Sequence, residues 1–92
     1  MAIRSFRHRG VEDLFRSGSS KRIAKPQWRK ITLILDFLDG IADPKDCQGV
    51  MGFHPLKGER AGAYAMTVTA NWRLTFKWNG KDVTDIDYED YH

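Results

Sequence analysis

Trp72-Arg73-Leu74-Thr75-Phe76-Lys77-Trp78-Asn79-Gly80 alternates large apolar side chains with polar ones and closes on a turn dipeptide. That period of two is the signature of a strand, with Trp72, Leu74, Phe76 and Trp78 on one face and Arg73, Thr75 and Lys77 on the other. Asn79-Gly80 favours a two-residue type I′ hairpin turn, because both residues tolerate positive φ, so a further strand is expected to return from Asp82 through Tyr88. Upstream, Tyr64, Met66 and Val68 alternate with Ala65, Thr67 and Thr69, which predicts another strand. Earlier still the period changes. Trp28, Ile31, Ile34 or Leu35, Leu38 and Ile41 recur every three or four residues after Pro26, predicting the longest helix, which ends before Pro44. Val11 to Phe15 reads as a brief helix stopped by Gly18, and Ile3 to Phe6 as a short β-compatible segment. Ser17–Ser20 and Cys47–Gly52 read as loops.

Helices first and strands later predict an α+β fold, in which N-terminal helices pack on a small, mostly antiparallel twisted sheet. The aromatic face of the central strand is expected against the long helix. Arg73 is then expected on the opposite, open face, presented rather than buried.

With 92 residues the chain can close one modest core, so a single domain over residues 1–92 is expected. The opening residues do not resemble a secretory signal, and no apolar run approaches the length of a membrane span, which points to a cytoplasmic protein with no membrane partner. Cys47 is the lone cysteine, and His8, His54 and His92 lie far apart, so neither a zinc ribbon nor a redox pair is expected, and no metal or cofactor is implied. Nine of the fifteen basic residues fall within the first thirty positions, opposed there only by Glu12 and Asp13. After Lys81 the chain carries five acidic residues and no Lys or Arg. That asymmetry suits a polyanionic partner, although an ordinary solvated surface accounts for the same charges.

Three stretches carry groups able to do chemistry: His54-Pro55-Leu56-Lys57-Gly58-Glu59-Arg60, Asn71-Trp72-Arg73, and Tyr88-Glu89-Asp90-Tyr91-His92. Together they offer imidazoles, cations, a phenol and carboxylates. Cleaving an RNA phosphodiester by internal attack of the 2′-hydroxyl needs a base, positive charge for the phosphorane oxygens, and an acid for the departing 5′-oxygen. Plainer readings exist for each: His54 as a solvated loop histidine, Lys57, Arg60 and Arg73 as partners of the acidic tail, and Tyr91 and His92 as a frayed end.

Read in order, Ile3-Arg4-Ser5-Phe6-Arg7-His8-Arg9-Gly10, the His54 to Arg60 stretch, Ala70-Asn71-Trp72-Arg73-Leu74-Thr75-Phe76 and Asp87-Tyr88-Glu89-Asp90-Tyr91-His92 resemble the HigB toxins of the RelE and ParE superfamily. The resemblance implies a microbial-ribonuclease-like domain acting as a ribosome-dependent mRNA endonuclease without a metal. It also implies a HigA-like helix-turn-helix antitoxin, the 70S ribosome and mRNA as partners, with operator DNA met only through the antitoxin complex. By the same resemblance His54, Lys57, Arg73, Asp90, Tyr91 and His92 form the catalytic set, and Lys57, Arg60, Arg73, Lys77 and Tyr91 bind RNA. Lys57 and Arg73 neutralise the scissile phosphate, Tyr91 stacks on or orients a base, and His54, His92 and Asp90 share proton transfer. Two other readings fit the same periodicity: a ParE-like gyrase inhibitor acting by protein binding, and a non-catalytic ribosome- or RNA-binding module. Ile41 to Gly52 matches no motif.

Overall fold

The computed structural model describes residues 2–90, and its first helix, α1 (Arg9–Ser17), starts from a side-chain cap. His8 Nδ1 accepts the Val11 backbone N–H at 3.2 Å, and Gly18 ends the helix in the left-handed region at φ 80°. A single 3₁₀ turn, Lys25–Gln27, with Pro26 inside it, leads into α2 (Trp28–Gly40). Ile31, Ile34, Leu35 and Leu38 of α2 are all buried. Leu33, off that stripe, is exposed. The Asp43 and Asp46 side chains form a reciprocal capping box on a short 3₁₀ turn, Pro44–Cys47. Cys47 is fully buried in the core, and burial, aided by the Asp46 charge, pushes its thiol up to about 11, so it behaves as a small apolar residue.

Four strands follow: β1 (His54–Pro55), β2 (Ala63–Thr67), β3 (Trp72–Trp78) and β4 (Val83–Asp90), in spatial order β1-β2-β3-β4, every neighbouring pair antiparallel. The N-terminal segment adds parallel bridges, Ile3 to Val83 and Phe6 to Ile86, along the outer edge of β4. One face of the sheet meets the helices. Met66, Leu74, Phe76, Val83 and Ile86 join Val11, Leu14 and the α2 stripe in one core cluster. The expected α+β layering is therefore observed.

Three local expectations differ. The stretch from His54, expected as loop, contributes the edge strand β1. Trp72, expected under the helix, is 36% exposed at the strand end and stacks on Tyr88 with ring centroids 4.7 Å apart. Asn79-Gly80 does not form a two-residue loop: Trp78 pairs with Val83, leaving four residues in the connection. The reason is side-chain chemistry, since Asn79 Oδ1 accepts the N–H groups of Lys81 at 2.9 Å and Asp82 at 2.7 Å. Asn79 thereby imitates a backbone acceptor at the start of the turn, and only Gly80 takes positive φ.

A second irregularity sits in β4. Between the pairs Thr75–Asp87 and Lys77–Thr84, β3 advances two residues and β4 three, so β4 bulges by one residue. Asp85 occupies the bulge at φ 54°, its N–H donating to Ser5 Oγ at 2.9 Å and its carboxylate accepting from Thr84 Oγ1 at 3.0 Å. A β-branched residue resists this conformation. Asp85→Val is expected to lower stability by about 1–3 kcal/mol in urea denaturation, whereas Asp85→Gly stays within about 1 kcal/mol of the parent protein.

Candidate active site

Cross-strand partners share a face, so the hairpin register decides which side chains meet away from the helices. The row Thr67, Arg73 and Glu89 lies there, beside the row His54, Ala65, Thr75 and Asp87, and Lys77 lies there opposite Ala63. Glu89 is the centre of this group. Its two carboxylate oxygens accept from Arg60 Nη1 and Nη2, each at 2.6 Å, in a fork-on-fork pair. Thr75 Oγ1 donates to Glu89 Oε2 at 2.8 Å, and Arg73 Nη2 lies 3.4 Å from Oε1. Arg60 ends a 3₁₀ turn, Gly58–Arg60, in the connection between β1 and β2, so this loop folds over the open face and its guanidinium crosses β2 and β3 to reach β4. The small side chains of Ala63 and Ala65 on that face of β2 leave it room.

The electrostatics follow from the geometry. Hydrogen bonding from Arg60 pulls the Glu89 carboxyl down to about 2, against the opposing effect of burial and with help from Thr75 and the Arg60 and Arg73 charges. Arg73 does lie on the open face as its alternation requires, but its side chain is only 18% exposed. The expectation of a presented cation is corrected in that respect: the guanidinium is turned onto the Glu89 carboxylate.

His54 is exposed on β1, and its Nδ1 sits 2.9 Å from the Gly52 carbonyl oxygen. A carbonyl only accepts, so Nδ1 carries the proton of that bond and the neutral ring keeps its lone pair on Nε2. Gly52 is required here, because at φ 68° a Cβ would stand 2.6 Å from Thr67 Oγ1. Lys57 is exposed at the start of the loop that folds over the sheet, and Lys77 is exposed on the open face itself.

Asp90 stands apart from these. It pairs with Trp72, which turns it to the side of the sheet bearing the Trp72–Tyr88 stack rather than to the Arg73 side. On that side a cavity of about 300 Å³ is lined by His8, Arg22, Gln27, Trp72 and Tyr88, among others. Tyr91 and His92 lie outside the described residues. The open face thus gathers His54, Arg60, Arg73 and Lys77 with Lys57 in the loop above. The site residues that sequence reasoning missed are Glu89 and Thr75.

A carboxylate-anchored guanidinium pair and an imidazole on one open sheet face are the kinds of group that phosphodiester chemistry uses. The profile of the RelE-like toxins of the type II toxin–antitoxin system HigB matches residues 4–92. The chain belongs to the HigB-like toxin family. A relative of this HigB-like toxin, the endoribonuclease HigB of Proteus vulgaris, is 35% identical over 91 residues, covering 98% of this chain and 99% of the relative. The fold is shared with a YoeB/ParE toxin from Agrobacterium tumefaciens, at a TM-score of 0.66 and 17% identity over the whole of both chains. Membership in a type II system means that an antitoxin partners this HigB-like toxin.

The Glu89 cluster makes stability depend on acid. Its carboxyl is depressed from 4.5 to about 2, so the stabilisation it supplies is complete above about pH 5 and is lost as pH falls through about 2. Parent protein and Glu89→Gln compared by denaturant unfolding are expected to differ by about 1–3 kcal/mol at pH 7, with the gap closing towards pH 2. A gap that does not change between pH 7 and pH 2 contradicts the assignment.

Proposed function

We propose that this toxin cleaves messenger RNA in the ribosomal A site by internal attack of a ribose 2′-hydroxyl, and so arrests translation and growth. That it is an endoribonuclease toxin of a type II system follows from its family and from the nearly full-length likeness to an endoribonuclease HigB. The finer reading rests on one observation, the placement of the Arg60–Glu89–Arg73 cluster and His54 on the same open face, with Lys57 in the loop above it.

In this reading Arg73, Arg60 and Lys57 hold the scissile phosphate and neutralise the charge that grows on its non-bridging oxygens. His54 Nε2 accepts the 2′-hydroxyl proton as the 2′-oxygen attacks phosphorus. The bond to the 5′-oxygen breaks, and that oxygen takes a proton from a second group, for which His92 is the candidate. The products are a 2′,3′-cyclic phosphate and a 5′-hydroxyl, with no atom supplied by water or metal. Tyr91 stacks on or orients a base, and Lys77 extends the cationic track along β3. RNA is required because DNA lacks the attacking hydroxyl. The partners proposed with this activity are the 70S ribosome, a HigA-like helix-turn-helix antitoxin, and operator DNA reached through the antitoxin complex.

The test is a defined mRNA on programmed ribosomes, with a ribosome-free control and mapping of new 3′ ends. Cuts that need the ribosome and end in cyclic phosphate are expected. Arg73→Ala should slow them about 100- to 1,000-fold and His54→Ala about 100- to 10,000-fold. Intact mRNA with the parent protein overturns the reading and moves the choice to binding alone.

A further inference from the structure

The open face already holds an anion, and that anion belongs to the chain. Two guanidinium groups, Arg60 and Arg73, converge on the Glu89 carboxylate, Arg60 with both of its Nη atoms at 2.6 Å. A planar guanidinium presents the same pair of parallel N–H groups to a carboxylate and to a phosphate, so whichever anion occupies this fork excludes the other. Resting on the function proposed above, we infer that Glu89 is a built-in stand-in for the scissile phosphate, holding Arg60 and Arg73 in the free protein and yielding Arg60 when an RNA phosphate enters.

The two sides of the pair are not equally free to move. Glu89 is fixed by its place in β4 and by Thr75, which is 2% exposed and donates to its Oε2 at 2.8 Å. Arg60 ends a loop turn, and its side chain is 43% exposed. Arg60 is therefore the partner that swings, while Arg73, 18% exposed and on the central strand, stays. Charge sharpens the consequence. Glu89 offsets part of the guanidinium charge, Asp87 also acts on Arg60, and hydrogen bonding from Arg60 keeps the Glu89 carboxylate ionised at any pH above about 2. RNA must then displace an anion that also repels it. Stray RNA is held weakly by such a site, and productive binding needs a second surface to present the substrate, which is the part the function proposed above gives to the ribosome.

The experiment measures binding without cleavage. A short fluorescent 2′-O-methyl RNA, which lacks the attacking hydroxyl, is titrated by anisotropy over a salt series with the parent protein, Glu89→Gln and Glu89→Asp. Glu89→Gln keeps the shape and the Thr75 hydrogen bond but removes the charge. It is expected to bind about 5- to 30-fold tighter, with a slope of log K against log salt steeper by about 0.7. Glu89→Asp, which keeps the charge, is expected to gain less than about 3-fold. A Glu89→Gln protein that is folded by circular dichroism and binds no tighter than the parent overturns the inference, as does an equal gain in Glu89→Asp. In the parent protein, where no mutant folding is at stake, the Arg60 Nε–H signal in NMR is expected to shift on adding the same RNA, and an unmoved Arg60 signal during binding overturns the inference as well. Failure of the parent protein to cleave mRNA on ribosomes defeats the proposed function instead, and the binding contrast is read independently of it.

Discussion

A strand packed on helices must place its apolar side chains on one face, and β4 does so with an uneven spacing: Val83 and Ile86 stand three apart, Ile86 and Tyr88 two apart. Only a one-residue bulge reconciles that spacing with continuous pairing to β3, and Asp85 supplies it at a positive φ. The parallel bridges from Ile3 and Phe6 flank the bulge, with Ser5 accepting its N–H, so the N-terminal segment holds the irregularity in place. Remove the extra residue and β4 slips by one position, sending Glu89 to the helix side and Tyr88 to the open side. The electrostatic cluster thus depends on a backbone irregularity about four residues away and on the burial of Val83 and Ile86, which pins the register on both sides of it.

The fold was largely legible because its main elements obey a single period. The α2 stripe repeats at helical spacing, and β3 alternates without interruption, so both could be placed from the positions of their apolar residues alone. In the hairpin between β3 and β4 the Asn-Gly preference for a two-residue loop does not decide the loop length. Asn79 has a side chain able to cap the turn, and that competing hydrogen bond favoured a four-residue connection. Within the candidate site, the open face of β3 was readable, and Arg73 with it. Glu89 was not, because its place opposite Arg73 follows from the bulge, whose signal was the broken alternation from Val83 to Ile86. Asp90, counted with Glu89's neighbours in sequence, faces the other way for the same reason of parity. The contact of Arg60 with Glu89 joins residues 29 apart through a loop, and no local pattern announces such a contact.

Stability and chemistry draw on the same charges here. A bidentate pair that is partly shielded from water ties the loop carrying Arg60 and Lys57 to the last strand, a link between the two ends of the sheet that apolar packing alone does not make. Under the proposed function, Arg73 is already held at the fork before a substrate is present, while Arg60 has to exchange one anion for another. Replacing the cluster by apolar side chains could hold the sheet as well or better, as buried ion pairs are rarely the most stabilising choice. Under the same proposed function, the cluster has a use on this face beyond stability, because its cations meet the phosphate there. A carboxylate at their centre makes the arrangement self-consistent: without it, two like charges would repel across the open face and the loop would lose its anchor, and with it the cations stay in register while one of them, on the loop, remains exchangeable.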